Sequence, residues 1–310
     1  MPSPRTTARA ALVVVALGLA AGSASAQTDN LPTPPGGPAA KGPQPSTPPV
    51  PKLRAIVFPV VGPARYYDDF GEPRAGRPHQ GNDIVAPKRA LAVAAEAGKV
   101  KFWTTSRSAG CMLYLRARSG TTYLYIHLNN DLGPRNDNRG RCVAGTAYTK
   151  GLKSGDAVAA GQPVGFVGDS GDADGAHAHL HFEVHPKGGK AVSPFPDLRR
   201  AHHLLFAARA GTLVSLELRG TVVATPAGRL TIRVSTLTAS TRLKVSKVDR
   251  NVVLSLPADA VVAAATPLVT VPRLAKGKTV TVATEEAPVT LAAELGSPGA
   301  LSAGTITVAS

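Results

Sequence analysis

The chain has 310 residues and a formal net charge of +15, with 35 lysines and arginines against 20 acidic residues. This length allows one large domain or two modest ones. The excess of positive charge favours anionic surroundings, or merely aids solubility. No run after residue 26 reaches about 18 consecutive apolar residues, so we expect no transmembrane span in the mature chain.

The amino-terminal residues have the pattern of a secretory signal peptide. Arg5 and Arg9 give a positive start, residues 10–21 form an apolar run, and residues 24–26 supply a small-x-small cleavage pattern. A buried amphipathic helix is the alternative. We therefore expect residues 1–26 to be removed and the protein to be secreted or to act in the cell envelope. There its charge suits cell-wall polymers or lipid headgroups, and we expect no nucleic-acid partner.

Residues 27–52 contain nine prolines and few residues that could build a core. This composition predicts a semi-extended linker.

From about residue 53 the chain changes to short apolar runs separated by Gly, Pro and Asp clusters. The runs are rich in Val, Ile, Tyr or Phe and lie at 55–58, 111–116, 121–126, 163–167 and 180–184. Such runs predict the strands of a mainly antiparallel β domain, which we place at 53–200. The polar, aperiodic stretch 129–150 predicts a long surface loop.

A second series of short strand-like runs predicts a small all-β domain at 207–310, a barrel or a sandwich. The runs lie at 221–223, 230–234, 244–245, 252–254 and 279–282. Residues 210–310 contain no Phe, Tyr or Trp. This absence argues against a carbohydrate-binding module that stacks sugars on aromatic rings, and it favours a structural or spacer domain of unknown role.

The chain has two cysteines, Cys111 and Cys142. An even count in an exported chain predicts a disulfide, and two unrelated buried thiols are the alternative. The bond would tether the loop 129–150 to the strand that begins near Cys111.

Three short patterns place histidines near other polar side chains. The first, His79-Gln80-Gly81-Asn82-Asp83, sets an imidazole and a carboxylate four residues apart around a glycine that permits a tight turn. The second, Tyr125-Ile126-His127, ends a predicted strand, and alternation along that strand predicts that Tyr125 and His127 share a face. Taken alone, each pattern is better explained by an ordinary surface or strand histidine.

The third pattern is the run from His179 to Val184, which reads HLHFEV. Alternation along a strand predicts one face with His179, His181 and Glu183 and an opposite, core-facing set of Leu180, Phe182 and Val184. A histidine pair on a solvated strand face is the alternative.

In this order, the three patterns resemble the signatures HxGxD, YxH and HLHFE of the M23 family of metallopeptidases, the lysostaphin- and LytM-type endopeptidases of peptidoglycan. The segment Gly168-Asp169-Ser170-Gly171 is similar to the glycine-rich stretch that precedes HLHFE in that family. The resemblance covers residues 55–198, where it implies the M23/LytM-type fold, and it does not extend to the carboxy-terminal domain.

The resemblance implies that His79, Asp83 and His181 bind one Zn²⁺ ion and that His127 and His179 are the catalytic pair. It does not assign the general base between these two histidines.

Glu183 is a candidate for orienting a zinc ligand, or else a solvated strand residue. We interpret His177 and His185 as non-ligands. The sequence departs from the family at Ala178, where proline is common, and at residues 88–90, where a glycine-containing turn is usual.

The resemblance implies a secreted zinc metalloendopeptidase that hydrolyses peptide bonds of bacterial cell-wall peptidoglycan with metal-activated water. Its partners would be peptidoglycan peptides and anionic cell-wall polymers. Two alternatives remain open: a non-catalytic LytM-type binding or activator protein of the envelope, and a metal-dependent peptidase of exported proteins. Some relatives have lost metal ligands and act only as activators, whereas all five site residues are present here.

Overall fold

A computed structural model describes residues 55–74, 76–133, 135–240, 245–264 and 274–309. The predicted signal peptide at 1–26 and the predicted linker at 27–52 lie outside these residues, as does Lys244 of one predicted strand.

The described residues up to 200 form eleven short strands and one helix. The strands are Val60–Val61 (β1), Pro73–Arg74 (β2), Arg77–Pro78 (β3), Asn82–Val85 (β4), Leu91–Val93 (β5), Gly98–Trp103 (β6), Cys111–Ala117 (β7), Thr122–Leu128 (β8), Ala157–Val158 (β9), Pro163–Phe166 (β10) and His179–His185 (β11), and the helix is Phe195–Arg200 (α1).

Six of these strands form one antiparallel sheet in the order β4-β11-β8-β7-β6-β9, and β1-β5-β10 form a second, smaller sheet. One buried cluster contains apolar side chains of both sheets, including Ile84, Ala92, Leu113, Val164 and Phe182. The apolar residues of β4 and β11 alternate, so the opposite face of these two strands is left free for polar side chains.

The mainly β, antiparallel class predicted from the sequence is confirmed. The runs at 111–116, 121–126, 163–167 and 180–184 coincide with β7, β8, β10 and β11 to within two residues. The run at 55–58 is not a regular strand, because only Val57 makes an isolated bridge, to His202.

The stretch 129–150 contains no strand among its described residues, as predicted for a loop. Its later part is not a surface segment, however, because Ala147 and Tyr148 are fully buried. The Tyr148 hydroxyl donates a hydrogen bond to the carbonyl of Met112, and its ring stacks on Phe102. An aromatic anchor therefore holds one end of an otherwise polar loop.

The described residues of the carboxy-terminal part form eight strands and a short α-helix. The strands are Leu213–Val214 (β12), Leu216–Ala224 (β13), Arg229–Ala239 (β14), Val245–Ser255 (β15), Val261–Ala264 (β16), Thr279–Thr284 (β17), Ala287–Pro288 (β18) and Ala303–Val308 (β19), and the helix is Leu291–Glu294 (α2). A six-stranded sheet has the order β15-β14-β13-β17-β19-β16, and this part has its own apolar core, built mainly of Val, Leu, Ile and Ala.

The two parts pack together through a third, smaller apolar cluster. It contains Val57, Leu91 and Val93 from the first part and Leu204 and Ala207 from the segment that joins the two. Among the residues that the structure describes, no helix is long and apolar enough to cross a bilayer.

Candidate metal centre and active site

The three predicted metal ligands come together on adjacent strands. In the antiparallel pair β4–β11, Asp83 lies opposite His181, and His79 precedes β4 by a tight turn. A Cβ atom on Gly81 would lie 2.5 Å from the carbonyl oxygen of Phe182 and 2.9 Å from His181 Nε2. Glycine is therefore required at residue 81 for the turn to approach β11 so closely.

The donor atoms of these residues form a triangle. His79 Nε2 lies 3.1 Å from Asp83 Oδ1 and 2.9 Å from His181 Nδ1, and the third side, between His181 Nδ1 and Asp83 Oδ1, is 3.0 Å. Each ring uses its other nitrogen elsewhere: His79 Nδ1 donates to the carbonyl of Asp69 at 2.9 Å, and His181 Nε2 donates to Glu183 Oε1 at 3.0 Å.

When the ring protons lie on His79 Nδ1 and His181 Nε2, the lone pairs of the other two ring nitrogens and an oxygen of Asp83 point at one another. Such a convergence of acceptors is electrostatically unfavourable unless a metal cation, or a proton on one of the rings, lies among them. One carboxylate and two imidazoles, each oriented by an outer hydrogen bond, are a donor set that suits zinc and leave a tetrahedral position free. The residues present therefore fit the metal that the sequence implied.

Glu183 is buried, which rules out the alternative of a solvated strand residue. Its second oxygen, Oε2, accepts a hydrogen bond from His185 Nε2 at 2.6 Å. His185 thus holds Glu183 in place, and Glu183 in turn orients His181. The sequence interpretation missed this role, although alternation along the strand places residues 181, 183 and 185 on one face. The predicted division of β11 into a polar face and a core face is confirmed by the burial of Leu180, Phe182 and Val184 in the main core.

Sequence reasoning also missed the residues that hold the first ligand. Asp69, which is 1% exposed, binds the Asn82 side chain at 2.6 Å through Oδ1. Its backbone carbonyl orients His79, and the guanidinium of Arg74 binds Asp83 Oδ2 at 2.9 Å. No sequence pattern marks Asp69 or Arg74, because both contact the motif only after the chain has folded.

His127 lies on the same side of the sheet as His181, and Tyr125 does not. Tyr125 is fully buried in the main core, where its hydroxyl donates to the carbonyl of Val93. The prediction that Tyr125 and His127 share a face is therefore wrong. The register of β7 and β8 shifts between Cys111 and Leu113, and His127 has a φ of +60°. This bulge turns His127 out of the alternation and into the site.

The two predicted catalytic histidines face each other across the site. Their ring centroids are 5.0 Å apart. His127 Nδ1 donates to the carbonyl of Ser170 at 2.7 Å, and His179 Nδ1 donates to the carbonyl of His177 at 2.8 Å. Each ring is thereby held in the tautomer that leaves Nε2 as a proton acceptor.

Burial, together with repulsion from His179, lowers the pKa of His127 to about 4. His127 is therefore neutral at pH 7 and able to accept a proton. Burial also disfavours the charged form of His181, but hydrogen bonds with Asp83 and Glu183 outweigh it and raise the pKa of His181 to about 9. Burial disfavours the charged form of Asp83, but hydrogen bonding with His181 and His79 outweighs that cost and holds the pKa of Asp83 well below its usual range.

A buried ion cluster supports the carbonyl that orients His127. Lys88 Nζ lies 2.7 Å from Asp131 Oδ2 and 2.9 Å from Asp169 Oδ2, and Asp169 precedes Ser170. Asp131 Oδ1 accepts hydrogen bonds from the amides of Asp137 and Asn138, both at 2.7 Å. Lys88, which departs from the family pattern, thus joins the loop after β8 to the turn beside the site.

Cys111 and Cys142 form the expected disulfide. The bond joins the start of β7 to the loop after β8, on which Asp131 also lies. The disulfide, Lys88 and buried Tyr148 therefore all attach the loop to the rest of the domain.

The ligand triangle and the histidine pair open into one groove of about 410 Å³. Its lining includes Arg74, Arg77, His79, Asp83, Ser108, Ala109, Ile126, His127, Asp172, Ala176, His179 and His181. The groove is open and predominantly polar in its residues, which suits an extended peptide better than a small apolar ligand.

Comparisons with known proteins give the same family as the motifs. The family model of peptidase family M23 matches residues 77–194, less than half of the chain. A crystal structure named for lytM of Ruminococcus gnavus is 24% identical, with 47% of this chain and 60% of that chain covered and a TM-score of 0.38.

The catalytic domain of lysostaphin from Staphylococcus simulans is 25% identical, with 44% of this chain and 92% of that chain covered and a TM-score of 0.34. A zinc-containing peptidase from Vibrio cholerae is 26% identical, with 45% of this chain and 39% of that chain covered and a TM-score of 0.33. The chain thus spans 60% of the length of the Ruminococcus protein. The segment that matches the model of peptidase family M23, residues 77–194, holds all five predicted site residues.

Proposed function

We propose that the protein is a secreted zinc metalloendopeptidase that hydrolyses peptide bonds in bacterial cell-wall peptidoglycan. The observation that carries the proposal is the convergence of His79 Nε2, Asp83 Oδ1 and His181 Nδ1 beside two further histidines that are free to exchange protons. The match of residues 77–194 to the model of peptidase family M23 supports the reaction class, and the positive charge and the predicted signal peptide support an anionic wall as the location.

A bound Zn²⁺ ion would lower the pKa of a water molecule toward neutrality and polarise the scissile carbonyl. His79, Asp83 and His181 would hold it, with Asp69 and Glu183 fixing the two rings. The chemistry of the chain itself falls to His127 and His179, whose Nε2 atoms accept the proton of the attacking water and return it to the leaving amine. His127 is suited to acceptance, because it is neutral at pH 7 and its orientation is fixed by the Ser170 carbonyl.

Two other functions use the same groove. A non-catalytic activator would need the groove but neither the ligand triangle nor the histidine pair, so the complete set of five residues favours the enzyme. A peptidase of exported proteins would need the same catalytic residues, and only the choice of substrate separates it from a wall hydrolase.

The test is metal analysis of the purified protein together with mass spectrometry of fragments released from defined peptidoglycan, with casein as the competing substrate. We expect one zinc per chain and defined peptide fragments from peptidoglycan. His181→Ala should lose both metal and activity. His127→Ala and His179→Ala should keep the metal and lose on the order of 10²–10⁴ in rate.

His202→Ala is the matched control, since His202 lies outside the groove and, among the described residues, makes hydrogen bonds only through its backbone. A metal-free preparation with full activity would refute the zinc proposal. Cleavage of casein with no release of peptidoglycan fragments would establish the exported-protein alternative instead.

A further inference from the structure

The hairpin β2–β3 places two arginines side by side at the groove. Arg74 and Arg77 are directly opposite each other in the antiparallel pairing, and both side chains line the groove next to His79. Like charges at directly opposite positions of a strand pair repel each other. The arrangement is therefore unfavourable unless anions compensate both guanidinium groups.

Only one of the two guanidinium groups is compensated among the described residues. Arg74 binds Asp83 Oδ2 at 2.9 Å and lies 3.5 Å from Asp69 Oδ2. Arg77 is exposed and makes no ion pair with any carboxylate of the described residues. Because Asp69 and Asp83 also hold the ligand triangle, they are not available to neutralise Arg77. An anion from outside the chain would fill this position.

The groove also has a negative side chain beside the catalytic pair. Asp172 lines it, with its side chain 65% exposed and Oδ1 3.6 Å from His127 Nε2. A substrate carboxylate would be repelled by Asp172 and attracted to Arg77. The groove therefore has an electrostatic polarity that can orient a charged peptide across the two catalytic histidines.

We propose that Arg77 binds a free carboxylate of the substrate, and that the groove selects peptides that carry one over the same peptides in amide form. This proposal rests on the proposed function and adds the substrate class. A guanidinium group presents paired N–H donors that match a carboxylate in a bidentate geometry, whereas a neutral amide offers one acceptor and no charge.

The experiment uses soluble cross-linked muropeptides in two forms, the free acid and the same material after chemical amidation of its carboxylates. We measure kcat/KM for both forms with the full-length secreted protein, its Arg77→Gln variant and the control Arg116→Gln. Arg116 is an exposed arginine on β7 outside the groove, so its replacement makes the same change in net charge.

We expect the wild-type protein to prefer the acid form by about tenfold, the size of one charge-assisted contact in a partly exposed groove. Arg77→Gln should bring the acid-to-amide ratio close to one, and Arg116→Gln should keep the wild-type ratio. A ratio that is unchanged by Arg77→Gln would overturn the proposal.

A second measurement separates this proposal from the proposed function. Calorimetry with a His179→Ala protein measures binding of the acid and amide forms without turnover. We expect tighter binding of the acid form, and loss of that difference when Arg77→Gln is added. If no peptide is cleaved but this preference is seen, the proposed catalysis fails and the role of Arg77 stands. Equal binding of the two forms, or binding of neither, refutes the role of Arg77.

Discussion

The ion cluster around Lys88 predicts a large loss of stability from one substitution. Asp131 and Asp169 are 0% and 2% exposed, so water cannot solvate either carboxylate once the ammonium group is removed. Lys88→Met keeps most of the apolar stem and leaves two buried charges unpaired. Removing one partner of a buried ion pair costs about 3–5 kcal/mol. Since the Lys88 side chain is itself 19% exposed, we expect the lower end, about 3 kcal/mol.

The loss should depend on pH in a direction that the structure fixes. Burial opposes the charged form of Asp131, but hydrogen bonds from Lys88 and from the amides of Asn138 and Asp137 hold its pKa below the usual value. A carboxylate with a lowered pKa contributes stability that is present at neutral pH and lost as pH falls through that pKa. Without Lys88 the Asp131 carboxylate can protonate at higher pH, so the difference between variant and wild type should shrink toward about pH 4–5.

Urea unfolding at pH 7.5 and at pH 5 measures both effects. Lys99→Met is the matched control, because Lys99 is exposed on β6, and surface substitutions of this kind change stability by about 0.5 kcal/mol or less. The reasoning would be refuted by a loss below about 1 kcal/mol at pH 7.5, a threshold well under the range for a broken buried pair. A loss of equal size at both pH values would refute the assignment to charge.

Three further outcomes follow from other contacts. Burial raises the pKa of Glu294 to about 7, so between about pH 4.5 and 7 Glu294 keeps a proton in the folded protein that it releases in the unfolded chain. The free energy of unfolding should therefore fall as pH rises through this range. Glu294→Gln should make the free energy of unfolding, measured in urea, depend less on pH. Cys142→Ser opens a loop of 31 residues and should cost roughly 3–4 kcal/mol, and unchanged unfolding would contradict the tether. A chain ending at residue 205 should still cut soluble muropeptides. It should melt at a lower temperature, because the truncation exposes the apolar cluster at Val57 and Leu91 to solvent. If the shortened chain folded but did not cleave, the carboxy-terminal part would have to belong to the active site.

Local periodicity was sufficient to predict β11 in detail. Alternation of histidine, glutamate and apolar residues gave both its polar face and its core face, because a regular strand converts sequence order directly into side-chain direction. The ligand set followed from the family resemblance, and the turn at Gly81 explains why the two motifs can meet.

Periodicity failed where the backbone leaves the regular strand. His127 reaches the site through a bulge and a positive φ, and alternation alone would have buried it beside Tyr125. The contacts of Lys88 with Asp131 and Asp169 were also out of reach, since they join residues 43 and more positions apart. Such pairs depend on the fold as a whole and leave no spacing rule in the sequence.

The β-bridge between Val57 and His202 places the beginning and the end of the peptidase part side by side. In this bridge the amide of Phe58 donates a hydrogen bond to the carbonyl of His202, and the amide of His202 donates one to the carbonyl of Ile56. Adjacent chain ends are the arrangement that tolerates circular permutation and insertion into another protein. New ends could therefore be cut in an exposed turn such as the one at Gly120, with residues 55 and 202 joined by a short link, without disturbing β4, β8 or β11. A module with this geometry can be moved between proteins as a single cassette, provided that its new neighbour covers the apolar cluster at Val57 and Leu91.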